Sequence, residues 1–359
     1  SGGIAGDALQ LQQPANNKLS WERIATLNLG IDFTILQERI SGNVDVYNRT
    51  TTDMLGLIPL NNFSGFTTAE GNIGKYNNKG IEWAIASRNI TGRNFTWSTR
   101  WVFSYNHNKL EHFERLTGYS ATGSYKISGI PYYPGYPGNS LFAYRWAGLD
   151  NMGDPQIRLA DKSITKDPFY QSRPEDVVYM GTTQPRFSGG LTNIFAFKGF
   201  SLTPNIIYNL GHVMRRDVNN FYTGRMGGYG FGDGNLYTYF LDRWKQPGDE
   251  ARTNVPSYVA DQGVNYSRRK TDYYRLADIN VVSASYVKLR DITLAYDFQP
   301  GALRSLHVQR LNVYAQVTNF MIWKANHDGI DPEYHALANG FRSLPPFKHS
   351  YSLGLSFNF

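Results

Sequence analysis

Asp150, Asn151 and Asp154 lie close together in LDNMGDPQI, a density of carboxylate and amide oxygens that suits a hard cation such as Ca2+. A solvated turn is the plainer alternative. Tyr132, Tyr133 and Tyr136 in PYYPGYPG, Tyr222, Tyr229, Tyr237 and Tyr239 in a second Gly-rich stretch, and Trp323 present flat aromatic faces that can stack on sugars or grip peptides. Amphipathic rings also serve as membrane-interface girdles or pack loop against loop, and that use competes here. The 7 histidines are scattered, with no pair at metal or catalytic spacing. Asp328, Asp331 and Glu333 read as a solvated acidic loop, because no nucleophile or oxyanion donor accompanies them. An enzyme therefore has no constellation to stand on. Lys288 and Arg290 in YVKLRDITL are expected to point into a wet lumen or to meet a plug.

Composition narrows the class of molecule that must position these groups. Aromatics make up 15% of the 359 residues, with 25 Tyr, 21 Phe and 7 Trp, while no run approaches the ~18 apolar residues of a spanning helix. The net charge of +7 comes from singly scattered basic residues, the longest basic run being Arg268-Arg269-Lys270, so no nucleic-acid footprint is present. Without cysteine there is no disulfide, thiolate metal site or cysteine nucleophile.

The recurring pattern is period-two alternation. Leu27, Leu29, Ile31, Phe33 and Ile35 share one face against Asn28, Asp32 and Thr34; the chain turns after Gln37-Glu38-Arg39 and returns through Ile40, Val44 and Val46. Similar pairs run from Ile81, Trp83 and Ile85 through NITGRN to Trp97–Tyr105, and from Phe187–Phe197 through Lys198-Gly199 to Phe200–Tyr208. Lys-Gly places glycine where a tight hairpin needs positive φ. A fourth pair joins SYVKLRDITLAYDF to VQRLNVYAQVTNF through QPGALRSL; its apolar parity switches at Arg290-Asp291, which predicts a bulge. The last strand, YSLGLSFNF, alternates up to Phe359.

Short turns thus alternate with long connections near 53–74, 108–184, 213–282 and 321–348. Strand starts are too unevenly spaced for a propeller, and the strands are long for a sandwich. Alternating strands, trimmed turns at one end, elaborate loops at the other and aromatics near strand ends together predict an all-β transmembrane antiparallel barrel. A mean hydropathy of −0.44 fits, since only alternate strand residues would meet lipid. The count is about nine strands, or ten if LFAYRWAG at 141–148 joins the wall. Nine strands left open expose two edges, so a partner half of the same barrel is expected.

Five ordered phrases point to a family: NKLSWERIATLNLGIDFTILQERISGNVDVYNRTTTDML, GNIGKYNNKGIEW, QPRFSGGLTNIFAFKGFSL, SASYVKLRDITLAYDF, and RLNVYAQVTNF with GIDPEY. Across nearly the whole chain these resemble the SusC/RagA-like TonB-dependent transporters. The resemblance implies the C-terminal portion of a roughly 22-stranded barrel, with residues 1–20 as an incoming extracellular loop and residues 21–359 as strands and extracellular loops. It further implies import of oligosaccharides or oligopeptides across the bacterial outer membrane and a SusD-like surface lipoprotein as lid. TonB coupling would run through a plug outside this chain, and lipid and lipopolysaccharide would surround the wall. Phe359 would serve as an assembly signal. The 150–154 stretch is similar to a calcium-loop phrase of the same relatives, although Met152 interrupts it and Pro155 replaces its last glycine. A passive porin and a secreted carbohydrate-binding β-domain are the rival readings.

Overall fold

The computed structural model describes residues 14–60, 63, 65–66, 68–113, 122–128, 133–218, 238–259, 263, 267–270, 272–298, 308–342 and 349–358. Nine strands form one antiparallel sheet in strict sequence order: β1 (Arg23–Ile35), β2 (Ile40–Pro59), β3 (Thr68–Thr91), β4 (Phe95–Phe113), β5 (Phe187–Phe197), β6 (Phe200–Leu210), β7 (Tyr286–Asp297), β8 (Arg310–Lys324) and β9 (Ser350–Asn358). β1 and β9 are its two edges. The stretch at 141–148 is a strand too (Ser140–Leu149), but it belongs to a separate four-stranded sheet and leaves the wall at nine.

Register converts the alternation into two chemically distinct faces, because side chains in paired antiparallel strands line up across the sheet. One cross-strand row reads Leu29, Val46, Ile81, Tyr105, Phe187 and Leu210. The next reads Ile31, Val44, Trp83, Phe103, Gly189, Tyr208, Val287 and Trp323. Between them, on the opposite face, lie Gly30, Asp45, Glu82, Ser104, Ser188, Asn209 and Tyr286. The apolar rows are bare: Leu29 is 66% exposed, Ile31 70% and Leu353 87%. Such rows are stable only against hydrocarbon. Aromatic contacts tighten this face, with Trp83 stacked on Phe103 at 3.9 Å and edge-on to Trp101 at 5.0 Å.

Local geometry follows the sequence closely. Lys198 (φ 46°) and Gly199 (φ 91°) join β5 to β6 as a two-residue turn whose positive dihedrals match the twist of the strands. The predicted bulge is present: Asn205 pairs with Asp291 and Ile206 with Leu289, leaving Arg290 as the extra residue. That extra residue switches the apolar parity from Leu289 to Ile292. The NITGRN turn is shorter than expected, since β3 continues to Thr91. QPGALRSL (299–306) and Phe359 lie outside the described residues.

The loop boundaries need correction at three places. The stretch at 53–74 is mostly strand, because β2 and β3 stay paired out to Pro59 and Thr68. β4 runs to Phe113 and β8 to Lys324, so the connections expected from 108 and 321 begin later. Within the expected incoming loop, the described residues dock on this projecting ribbon: Asn16 donates to the Glu70 carbonyl (2.8 Å), and Asn72 bonds both the N–H and the carbonyl of Ser20 (2.8 Å each).

Most of the buried apolar core lies outside the wall. Three clusters of buried apolar side chains, centred on Phe142/Tyr144/Ile157/Tyr273, on Val218/Phe240/Tyr274 and on Met214/Ala284/Ile330, all come from the long connections. The four-stranded sheet supplies Phe142, Tyr144, Ile157 and Val177 of the first. It runs in the order Ile164–Thr165, Pro155–Arg158, Ser140–Leu149, Val177–Thr182.

The face assignment is testable. Val44→Lys, in the middle of the bare apolar rows, should cost about 2–4 kcal/mol of bilayer-measured unfolding stability. Ser104→Lys, beside Glu82 on the polar face, should change it by under about 1 kcal/mol. Equal costs would contradict the assignment.

Candidate functional site

The polar face and the packed loops form the candidate site. On the wall, Asn43 donates to Asp45 (2.7 Å), Ser104 to Glu82 (3.1 Å), and Asn106 to the Tyr47 hydroxyl (2.7 Å) and to Asn78 (2.8 Å). These groups line open concavities of about 330 and 380 Å³ in which Asp45 and Glu82 provide negative charge and Arg49 a positive one. A third, of about 310 Å³, is bordered by Arg290, Asp291, Gln316 and Tyr334. Hydrogen-bonding groups spread over a broad surface can hold a hydrated, extended molecule.

A charged clasp ties the last loop to this face. Lys288, fully buried on β7, pairs with Asp331 (3.0 Å) and with Glu333, while Arg290 reaches Glu333 at 2.6 Å and the Tyr286 hydroxyl donates to it at 3.2 Å. The bulge places Lys288 and Arg290 within reach of one carboxylate. Asp331 caps the short helical turn Pro332–Tyr334 by accepting from the Glu333 N–H. Both expectations for these residues change: the basic pair meets the chain's own loop, and Asp331 and Glu333 are anchored instead of solvated. Burial alone raises the Glu333 pKa, but the hydrogen bond and charge of Lys288, then Arg290, outweigh it and hold it below the ordinary 4.5.

At the expected cation loop, the Asp150 Oδ1 accepts the N–H groups of Met152 and Asp154 (2.9 Å each) and its other oxygen holds Lys166. Asp154, with no exposed surface, binds Lys166 (3.0 Å), Arg268 (2.9 Å) and Arg269 (3.6 Å). Asn151 is exposed. Three cations on two carboxylates repel a divalent ion, and among the described residues no group of three or more acidic or histidine side chains is placed to hold a metal. The carboxylates instead join distant parts of the loops. Gly153 (φ 74°) completes the turn, where a Cβ would strike Ser257 and Trp244. Burial opposes ionisation of Asp150, yet the Lys166 hydrogen bond and the two backbone donors keep its pKa low.

The aromatic candidates separate by location. Tyr133 is only 9% exposed and packs with Tyr136 against Phe142, with the Lys126 ammonium 4.6 Å from the Tyr133 ring and 5.3 Å from the Tyr136 ring. Tyr239 packs against the Val218/Phe240/Tyr274 cluster. Of the two uses left open for these rings, loop-against-loop packing is the one seen here. Trp323, 49% exposed, extends the outward apolar row of Tyr208 and Val287. Its position is that of a girdle residue. Tyr132, Tyr222, Tyr229 and Tyr237 lie outside the described residues. Sequence reading missed Lys166 as the shared partner of Asp150 and Asp154; the Arg268-Arg269 run was the visible signal for the rest of that cluster.

A sheet with a bare apolar face, a hydrogen-bonded polar face and folded loops at one end is a portion of the wall of an outer-membrane β-barrel. No protein-family model matches the chain. It is 28% identical to a TonB-dependent receptor of Formosa agariphila over 97% of this chain and 36% of that protein. It is 27% identical to the TonB-dependent receptor SusC of Bacteroides thetaiotaomicron over 96% of this chain and 32% of that protein. A solved structure of the RagAB peptide transporter shares its fold with a TM-score of 0.73 at 21% identity, covering 100% of this chain and 38% of that one. The chain is thus similar in sequence to these TonB-dependent receptors, shares the fold of the RagAB transporter, and spans about a third of the length of the curated relatives it matches.

The clasp yields a prediction. Glu333→Gln leaves Lys288 buried with Asp331 alone and should cost about 1–3 kcal/mol, seen as faster hydrogen exchange over 325–342. Because the folded pKa of Glu333 lies below its unfolded 4.5, its contribution is complete above that pH and fades as pH falls through the folded value. Protection factors in this loop, taken against the intrinsic exchange rate at each pH, should fall on acidification in the wild type and much less in the variant.

Proposed function

We propose that this chain is the C-terminal portion of the barrel of a TonB-dependent importer that moves oligopeptides or oligosaccharides across the outer membrane. The observation that carries the reading is the two-faced wall: apolar rows on one face, and a polar row of Asp45, Glu82, Ser104, Ser188 and Asn209 on the other, which suits a hydrated cargo. The long connections face the outside, and their packed core gives a rigid rim on which a SusD-like lipoprotein lid can close. The edges β1 and β9 pair with the remaining barrel strands, and a plug belonging to the whole protein transmits the pull of TonB.

Oligopeptide cargo is favoured over glycan by two supports. The RagAB protein whose fold the chain shares is a peptide transporter, and the polar face offers carboxylate, guanidinium and amide groups, which match the mixed charges and backbone of peptides. Cells expressing the whole protein should take up a labelled oligopeptide, and a protonophore should abolish that uptake. Uptake that survives the protonophore would make the protein a passive porin. A purified protein that stays monomeric without detergent would point to a secreted binding domain, and uptake of oligosaccharide alone would reverse the choice of cargo.

A further inference from the structure

The apolar rows on the outer face end abruptly toward the long-connection end. Above the row of Leu29, Val46, Ile81 and Tyr105 comes one made of Leu27, Asn48, Lys79 and His107, and above that Asn77 pairs with Lys109. Parity keeps Lys79, His107 and Lys109 on the lipid-facing side, since each is an even number of residues from Ile81 or Tyr105 on an unbulged stretch. Lys79 and Lys109 are exposed, and neither makes an ion pair among the described residues. The acids of the adjoining strand ends are already occupied, Asp53 by Arg23 and Glu111 by Lys75. Arg186 borders the same cleft as His107 and adds positive charge there.

Directly beneath these cations is an open groove of about 360 Å³, lined chiefly by Leu27, Leu29, Val46, Ile81 and Tyr105, with Lys79 at its upper border. Gly80, paired with Tyr47, turns to the opposite, polar face, so the floor of the groove on the outer face is made by Leu29, Val46 and Ile81. Apolar floor and cationic rim meet at one level on β2, β3 and β4.

We propose that this place holds one molecule of a phosphorylated, acylated membrane glycolipid of the lipid A type, with an acyl chain in the groove and a headgroup phosphate between Lys79 and Lys109. This rests on the membrane reading of the apolar face. Free phosphate could satisfy the lysines but has no use for the groove; a neutral lipid could fill the groove but has no use for the lysines. Only an amphiphile with phosphate at the polar boundary uses both. Basic residues near a membrane surface each strengthen such binding severalfold.

The test uses the whole protein purified from outer membranes in mild detergent, with native mass spectrometry reading bound lipid. Wild-type protein should retain bisphosphorylated lipid A about tenfold more tightly than its dephosphorylated form, and millimolar inorganic phosphate should not displace it. Lys79→Ala with Lys109→Ala should lose that preference, while Lys79→Arg with Lys109→Arg should keep it. Equal retention of the two lipid forms by the wild type would overturn the proposal without any variant. So would displacement by inorganic phosphate, or undiminished binding by the alanine pair. A protein that needed no detergent would sink the membrane reading itself, a separate and recognisable failure.

Discussion

In hydrocarbon a backbone N–H or C=O has no water to fall back on, so a spanning strand must find every partner in its neighbours. This constraint fixes the sheet of nine strands in sequence order and makes every interior strand paired on both sides. It also explains why the lipid-facing side chains need not interlock. Leu29, Ile31 and Leu353 are held in place by the ladder, and the bilayer supplies the apolar surroundings that a second layer of protein supplies in a soluble fold.

The distribution of packing follows. A wall one layer thick has no interior, and the described buried apolar clusters fall in the connections, built from tyrosines and from strands that never enter the membrane. Charge follows packing: Asp154 with Lys166, Arg268 and Arg269, and Lys288 with Asp331 and Glu333, are the places where loop meets loop or loop meets wall. Buried pairs of this kind are costly to break because removing one member strands the other. They give the loops a defined seat on a surface that offers little apolar area to grip.

Much of the wall was legible in the sequence, because a period of two is a local property. The Lys198-Gly199 turn and the bulge at Arg290 were also readable, since each depends on neighbours within a few residues. The extension of β2 and β3 was not: Gly56 and Pro59 in 53–59, and Gly71, Gly74, Glu70 and Asn72 in 68–74, are residues typical of loops, and these segments become strand because the ribbon below sets their register. The site was less legible still. Lys288 and Glu333 are 45 residues apart, and Asp154 and Arg268 are 114 apart. Nothing local announces such pairings. The tyrosines misled for a related reason, as composition distinguishes poorly between a ring that greets cargo and one that fills a core.

The placement of the core in the connections has an evolutionary consequence. In most proteins the framework is constrained and the loops drift freely. Here Tyr144, bonded through its hydroxyl to Ser124 and Ser172, and Phe142, wedged among Tyr133, Tyr136 and Tyr179, sit in an environment as exacting as the heart of a soluble domain. The lipid-facing rows accept nearly any apolar residue. A lineage of such proteins adapting to new nutrients should therefore vary the rims of its loops and the faces of its wall, while the inner loop residues stand still.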